Sequence, residues 1–309
     1  MSSTAEAPQA AAPRHLRRRK PLRFRPWLSH GAWRDVMDMR PMGGRLRAIR
    51  RIACALVWTF LCIPVQALLI LLPGRPKVVF ARLYFRVLCW LIGLKVHVVG
   101  RPAHGPGTLF LSNHSSWLDI LVLGSVLEGV FVSKADVGRW PVIGWVARLG
   151  RTVFVTRQRG TTAREADAMR ERLAAGDSLI LFPEGTSNDG SRTLPFRSSF
   201  LAIAEQARCV QPVSLVYDRL GGLPACRRDR PLFAWYGDMD IGTHFWRMAR
   251  RAGARATVLL HEPGDPKVFA NRKALTAAVA DLVSEGASQL RQNRPPVPLS
   301  LERRAALPG

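Results

Sequence analysis

The sequence predicts an α/β fold: a mixed, largely parallel β-sheet flanked by helices and preceded by an N-terminal membrane-associated helical hairpin. The first observation is the pattern from residue 95 onward, where short apolar runs alternate with helical segments. The second is the apolar region 52–94 that precedes this pattern. The third is a mean hydropathy of only +0.02, although 48% of the residues are hydrophobic. That value is low for a multi-span membrane protein, and it fits a globular body with a membrane-attached part.

Composition divides the chain into four regions. Residues 1–44 are rich in Ala, Pro and Arg and are predicted to form a disordered basic tail. Residues 45–94 are predicted to form the membrane-associated helices and residues 95–292 the α/β domain. Residues 293–309 are predicted to be a loose C-terminal tail. A chain of 309 residues is long enough for one large domain with such appendages.

The excess of basic over acidic residues limits the kinds of partner that the chain is expected to bind. Lys and Arg number 46 against 22 Asp and Glu, a net charge of +24. Such an excess suits nucleic acid, anionic lipid headgroups or an acidic carrier protein. We expect an anionic membrane surface and no nucleic acid, because the chain has no recognisable nucleic-acid-binding motif and carries the apolar region 52–94. A basic membrane- or nucleic-acid-binding protein without catalysis stays open as an alternative of another class.

The five cysteines predict neither a disulfide framework nor a metal site. They show no CxxC spacing and no Cys/His cluster, and their number is odd. This usage fits a catalytic body in the reducing cytoplasm.

The apolar region predicts two helices. Residues 52–72 are long enough to span a bilayer, but Pro64 is expected to break or kink a helix there. In residues 78–94, Arg82 and Arg86 recur four apart, which suits a helix lying in the interface with its cations at headgroups. A hairpin held in one leaflet is favoured, and a spanning segment stays open.

The body is predicted to contain eight strands and six helices. The strands are expected at 95–99, 108–111, 130–133, 152–156, 178–182, 210–217, 233–236 and 256–261. The helices are expected at 117–127, 141–148, 162–175, 196–207, 243–252 and 271–292.

The clearest candidate for catalysis is a His–Asp pair. His114 lies in the turn that leaves a buried strand, and Asp119 follows about one helical turn later. In that arrangement the carboxylate can hold one imidazole nitrogen while the other faces a substrate hydroxyl, as general-base catalysis requires. Such a pair also arises by chance, so a second motif is needed.

The second motif is Leu181-Phe-Pro-Glu184-Gly185-Thr186, which follows another apolar run. The two motifs, in this order and separation, resemble the acyltransferases that acylate lysophosphatidic acid and related lysolipids. The resemblance covers roughly Lys95 to Pro263. It implies a glycerolipid acyltransferase-like fold and transfer of a fatty acyl group to a lysolipid hydroxyl, with His114 as general base and Asp119 orienting it.

The resemblance also implies the substrates. The acyl donor would be acyl-carrier protein or acyl-coenzyme A, used as a co-substrate, with no cofactor and no metal. The favoured acceptor is 1-acyl-sn-glycerol-3-phosphate, which would give phosphatidic acid, and lyso-ornithine lipid is the alternative. Such donors place the catalytic domain on the cytoplasmic side of the inner membrane.

Further residues follow from the same resemblance. Arg157 corresponds to the arginine that the family assigns to the acceptor's phosphate, and the run that contains Lys134 resembles the same motif. Glu184, Gly185 and Thr186 would meet the polar end of the acceptor. The family commonly has Arg where this chain has Ser187, so the cation is expected from elsewhere. The remaining candidates are Asn113, which would support the turn, and Arg192 and Arg197, which would supply that cation.

Overall fold

The computed structural model describes residues 44–140, 142–155 and 162–305. The helices are α1 (Arg45–Leu71), α2 (Pro76–Ile92), α3 (Leu118–Val126), α4 (Ile143–Leu149), α5 (Thr162–Ala174), α6 (Ile241–Ala249), α7 (Arg272–Arg291) and α8 (Leu301–Ala305). The strands are β1 (Leu94–Val99), β2 (Thr108–Ser112), β3 (Val130–Lys134), β4 (Val153–Val155), β5 (Leu179–Leu181), β6 (Cys209–Leu220), β7 (Leu223–Pro224) and β8 (Ala254–Leu260). Of the basic tail expected over residues 1–44, only Gly44 belongs to the described residues.

One mixed sheet organises the body. Its strands follow the order β1-β8-β6-β2-β5-β3-β4, and β7 pairs with β6. Along that order every described pair is parallel except β6 with β8. The predicted α/β class with a mixed, largely parallel sheet is therefore confirmed. The carboxyl ends of β2, β5 and β3 meet at one edge, which is where ligands bind in open α/β sheets.

The middle of the sheet is buried on both faces, and this explains its sequence. All five residues of β2 and all three of β5 are buried, as the uniformly apolar runs of parallel strands require. Helix α7 packs one face, with Val279, Leu282 and Val283 fully buried in the main hydrophobic cluster. The sites at the strand ends therefore rest on a rigid support.

Helices α1 and α2 form the predicted hairpin, joined by a link of four residues. Helix α1 is continuous through Pro64, so of the expected break or kink the break is absent. It is the one helix of the described chain long and apolar enough to cross a membrane, and 22% of its most apolar window is buried. Large apolar side chains such as Leu61, Leu68 and Leu71 are exposed along it. Arg82 pairs with Glu128 at 2.7 Å, and its place at lipid headgroups stays a prediction.

The strand predicted at 233–236 is absent. Phe233 and Ala234 donate their backbone N–H groups to the carbonyl of Arg230, and Trp235 donates to the carbonyl of Ser115 at 2.8 Å. Phe233 stacks on Tyr217 with ring centroids 5.1 Å apart. The apolar run is thus buried against the residues around His114 rather than in the sheet, a tertiary contact that a local pattern does not reveal.

The helix predicted at 196–207 is also wrong. The segment forms two short 3-10 helices, Ser198–Leu201 and Ala204–Gln206. Its start is tied down because Arg197 donates its backbone N–H to the carbonyl of Pro183 at 3.0 Å. Leu201 and Ile203 are buried, so burial produced an apolar spacing that resembles an α-helix.

The C-terminal segment is packed, unlike the loose tail expected from residue 293. Leu301 is fully buried in α8, and Ser300 bridges to Glu262. Leu299 donates its backbone N–H to Nδ1 of His261 at 3.2 Å. A buried leucine and several hydrogen bonds thus anchor a stretch whose Pro-rich composition is typical of disordered chain.

Candidate active site

His114 and Asp119 are brought together as predicted. His114 is the second residue after β2, and Asp119 lies in the first turn of α3. Nδ1 of His114 lies 2.9 Å from Oδ2 of Asp119. The carboxylate is buried, whereas the His114 side chain is 20% exposed. The pair therefore combines a fixed ring orientation with an open edge.

Asp119 is held by the turn that it closes. Its Oδ2 accepts the backbone N–H groups of Ser115 and Ser116 at 2.7 and 2.9 Å. These two serines thus serve the turn through their backbone N–H groups. The other carboxylate oxygen, Oδ1, accepts the hydroxyl of Tyr217 at 2.6 Å.

Tyr217 is a site residue that the sequence analysis missed. It lies in β6, nearly a hundred positions from Asp119, and its ring is buried. Burial, together with the neighbouring Asp119 charge, raises the pKa of Tyr217 well above its ordinary value. The phenol therefore stays protonated and donates to the carboxylate. Only the pairing of β6 with β2 brings it there, so no local signal could have found it.

The ring of His114 is also held by stacking. It lies on Phe182 with centroids 4.1 Å apart and planes 19° apart. Among the residues that the structure describes, none is hydrogen-bonded to Nε2. Nε2 is therefore available to a substrate hydroxyl, since Nδ1 is engaged by Asp119.

Glu184 holds the backbone of His114. Its Oε1 accepts the backbone N–H of His114 at 3.0 Å, and its Oε2 accepts the side-chain amide of Asn188 at 2.6 Å. Asn188 also donates to the carbonyl of His114 at 3.1 Å. Burial raises the pKa of Glu184 to about 7, against the lowering effect of its hydrogen bonds. The carboxyl group thus joins the two motifs that the sequence analysis paired.

Asn113 supports the turn from the other side. Its side-chain amide donates to the carbonyl of Leu215 and accepts the N–H of Leu215, both at 2.8 Å. The side chain thereby continues the pairing of β2 with β6 beyond the last strand residue. This is the supporting role predicted for it.

The remaining candidate residues differ in their exposure and surroundings. Gly185 has φ of +72°, and its Cα faces Phe200 and the guanidinium of Arg197. A side chain at that position would be strained, which accounts for the glycine. Thr186 is exposed beside it, and Lys134 ends β3 exposed. Arg157 lies outside the described residues, so its role in acceptor binding stays a prediction.

Arg192 faces a cavity of about 320 Å³. Asn113 and Ser115, the neighbours of His114 in sequence, also line this cavity. Further arginines from distant parts of the chain line it as well: Arg227, Arg230 and Arg291. Of the two cations considered for the missing family arginine, Arg192 therefore faces this cavity, whereas Arg197 lies against Gly185.

His244 is a structural residue. It is buried, and its Nδ1 accepts the indole N–H of Trp117 at 3.1 Å. Burial lowers the pKa of His244 to about 4. A neutral, enclosed imidazole suits packing of α6 onto the start of α3 and not a second base.

An α/β sheet that places a His–Asp pair and a Phe-Pro-Glu-Gly loop at adjacent strand ends is the arrangement of an acyltransferase. The model of the family described as Acyltransferase matches residues 95–216. The lyso-ornithine lipid O-acyltransferase of Brucella abortus (strain 2308) is 35% identical over 78% of this chain and 94% of the relative. The enzyme with that name from Rhizobium meliloti (strain 1021) is 37% identical over 75% of this chain and 82% of its own.

Two further comparisons agree. The 1-acyl-sn-glycerol-3-phosphate acyltransferase of Neisseria gonorrhoeae is 33% identical over 51% of this chain and 60% of the relative. The crystal structure of the 1-acyl-sn-glycerophosphate (LPA) acyltransferase PlsC from Thermotoga maritima superimposes with a TM-score of 0.62 at 24% identity. It covers 80% of this chain and 95% of the other, and it shows the fold. This chain belongs to the acyltransferase family of lysolipid-acylating enzymes.

Proposed function

We propose that the protein is a membrane-associated O-acyltransferase that moves a fatty acyl group from an acyl thioester to the hydroxyl of a lyso-ornithine lipid. Lyso-ornithine lipid is favoured as the acceptor because relatives with that activity in their names match a larger fraction of this chain. The two relatives with that activity in their names match 75% and 78% of this chain, against 51% for the 1-acylglycerol-3-phosphate enzyme from Neisseria gonorrhoeae. This reverses the order of acceptors favoured by the sequence motifs.

The geometry of His114 supports the chemistry. Nε2 takes the proton of the acceptor hydroxyl as its oxygen attacks the thioester carbonyl carbon. The C–S bond then breaks, and the imidazolium returns the proton to the departing thiolate. Asp119 fixes the proton of the neutral ring on Nδ1 and stabilises the imidazolium that forms. Carrier-protein and coenzyme A thioesters both offer this reacting bond, and the reaction needs no covalent acyl-enzyme.

Phosphatidic acid formation is the second candidate, and a specific observation favours it. A phosphate monoester carries nearly two negative charges near neutral pH and calls for more than one cation. Arg192 and the other arginines of the cavity supply several cations close to the residues that flank His114. A lyso-ornithine headgroup is zwitterionic, and its carboxylate would use fewer of them.

The hairpin supports attachment to one leaflet. Arg51 in α1 donates to the carbonyls of Ala249 and Arg251 at 3.0 and 2.8 Å. Gln66 in the same helix donates to the carbonyl of Leu149 at 3.1 Å. The two positions are roughly 22 Å apart along a helix, so the body accompanies α1 for most of the thickness of a hydrocarbon core. A helix that crossed the bilayer would leave the body behind, and we propose that the catalytic domain lies on the cytoplasmic face.

The test compares the two acceptors directly. Purified protein in mixed micelles receives one acyl donor with lyso-ornithine lipid or with 1-acylglycerol-3-phosphate, and the His114→Ala variant serves as the blank. We expect a clear preference for lyso-ornithine lipid in kcat/KM. A preference for 1-acylglycerol-3-phosphate would replace the first candidate by the second. Absence of transfer to both would defeat the proposal. Cysteine labelling in sealed inner-membrane vesicles checks the orientation of the domain.

A further inference from the structure

We propose that the cavity lined by Arg192, Arg230 and Arg291 binds a carboxylate or phosphate group of a substrate, beside the His114 turn. The volume of about 320 Å³ lies at the lower end of the range for small-molecule sites. Neither motif of the sequence analysis includes Arg230 or Arg291. The three cations come from three separate parts of the chain and converge only in the fold.

The local structure directs these side chains to one place. Arg227 and Arg230 lie three residues apart in the 3-10 helix Arg227–Leu232, and residues at that spacing share one face of a 3-10 helix. Arg291 is the last residue of α7. Both elements border the cavity, with Leu290 and Phe233 as apolar walls. The site is therefore a pocket with cations on several sides rather than a strip of surface charge.

The cations of the cavity have no direct ion-pair partner among the described residues, although the negative charge of Asp189 reaches Arg192, Arg230 and Arg291. Within the described part of the chain, no ion pair or side-chain hydrogen bond involves Arg192, Arg230 or Arg291. Arg230 lies near enough to lower the pKa of Arg291, in addition to the larger lowering by burial. Holding like charges together in a partly buried place costs free energy. A bound anion would reverse that cost.

The cavity adjoins the catalytic turn. Asn113 and Ser115 line it, and they flank His114, which does not line it itself. Asn188 lines it and also donates to Glu184 and to the carbonyl of His114. The negative charge of Glu184 reaches Arg291, where it raises the pKa. An anion in the cavity would thus lie next to the residues that hold the general base.

Both substrates, the acceptor and the acyl donor, carry such a group. The assignment of the anion to one of these substrates rests on the proposed function. The acceptor offers a headgroup carboxylate or phosphate, and the donor offers the phosphate of its pantetheine arm. Arginine provides two parallel N–H donors to both kinds of group. The cavity selects an oxyanion by its negative charge, and kinetics must tell which substrate carries that group.

The experiment uses Arg230→Gln and Arg291→Gln, with Arg294→Gln as matched control. Arg294 is exposed, follows Arg291 closely and does not line the cavity, so its loss changes net charge equally. KM is measured for the acceptor and the donor separately, each with the other saturating. Thermal unfolding is followed with and without inorganic phosphate as the probe ligand.

We expect KM of one substrate to rise about tenfold in both cavity variants, with kcat within twofold and no change for Arg294→Gln. A rise for the acceptor assigns the headgroup, and a rise for the donor assigns the pantetheine phosphate. Phosphate should raise the unfolding temperature of the wild type and of Arg294→Gln more than that of the cavity variants. Unchanged KM for both substrates would overturn the inference, and so would equal effects in the control. If the wild type acylates neither acceptor, the proposed function fails, while the phosphate measurement still decides whether the cavity binds anions.

Discussion

His114 and His261 both follow a buried strand, yet their surroundings give them opposite properties. His114 follows β2, pairs with a carboxylate and keeps one edge open. His261 follows β8, which runs opposite to β2 and β6, and it is 1% exposed. Its Nε2 lies 3.0 Å from the hydroxyl of Ser214, and its Nδ1 accepts the backbone N–H of Leu299. Position at a strand end therefore does not by itself suit a histidine to base catalysis, which also requires a carboxylate partner and an open ring nitrogen.

The partners of His261 also fix its charge. Ser214 donates its hydroxyl to the carbonyl of Val283 at 2.9 Å, so it accepts a hydrogen from Nε2 of His261. Nδ1 is then the acceptor for Leu299, which requires the neutral ring. Burial lowers the pKa of His261 to about 4. The residue joins β8, β6, α7 and the C-terminal segment, and a proton would disrupt that junction.

The largest expected effect is the loss of kcat in His114→Ala, which His261→Ala should not show. His114→Ala should lower kcat about a thousandfold or more, because the hydroxyl loses its base, while the unfolding temperature changes little. His261→Ala should lower the unfolding temperature and leave the kcat of the folded fraction within a few fold. Acyl-transfer assays and thermal unfolding on the same preparations check both statements. A folded His114→Ala protein with near-wild-type turnover would refute the mechanism.

Asp119→Asn should lower kcat about a hundredfold, with little change in KM. The amide keeps the size of the side chain but cannot stabilise an imidazolium, and it allows the wrong tautomer. The matched control is Asp218→Asn, which removes a carboxylate of β6 paired with Arg255 and Thr257. We expect the control to affect stability more than kcat. Equal kcat losses in the two variants would show that the effect is not specific to the pair.

Tyr217→Phe should lower kcat about tenfold, since one hydrogen bond to the buried Asp119 is lost while the ring stacking on Phe233 stays. The pH–rate profile distinguishes positioning from mere packing. Removal of a donor to the carboxylate leaves Asp119 more negative toward the ring, so the acidic limb of the profile, along which the base loses its proton, should move to higher pH. A variant with an unshifted profile and lowered stability would point to a structural role alone.

The smallest effect is a pH dependence of stability. The pKa of His261 is lower in the fold than its ordinary value of 6.5. Its stabilising contribution is therefore complete above pH 6.5 and is lost as pH falls toward 4. Between pH 7 and pH 5.5 this amounts to about 1 kcal/mol. His261→Gln should show a fall in unfolding free energy over that interval that is smaller by this amount.

Denaturant unfolding of wild type and variant at both pH values measures the difference. The variant comparison is needed because Glu184 acts in the opposite sense. Its pKa is raised in the fold to about 7, so its contribution is present below pH 4.5 and is lost as pH rises through 7. Identical pH dependence in the wild type and His261→Gln would contradict the account of His261.

The sequence predicted the sheet and the His–Asp pair because both leave local patterns. Buried parallel strands appear as apolar runs, and the pair lies within one turn of chain. The segments at 196–207 and 233–236 were assigned wrongly because their apolar residues pack against distant elements. A short window of sequence shows that its residues are apolar and will be buried, but it does not show which distant element they pack against.

The parts of the site that escaped prediction have the same cause. Tyr217 reaches Asp119 through strand pairing, and Arg230 and Arg291 approach the His114 turn from elements far along the chain. In a chain with 46 Lys and Arg, no local feature distinguishes these arginines from solvated surface residues. Glu184 was found, but its contacts with His114 and Asn188 were not.

The pairing of β1 with β8 has a consequence for how the chain folds during synthesis on the ribosome. Strand β1 cannot pair until β8, the eighth strand along the chain, has been made. Likewise, Arg51 of α1 cannot bond until the carbonyls of Ala249 and Arg251 have been made. At usual synthesis rates that delay is roughly ten seconds or more. Throughout it the hairpin presents its apolar face without the body that later covers part of it. With the proposed attachment to one leaflet, we expect the nascent chain to reach the bilayer before its α/β body is complete.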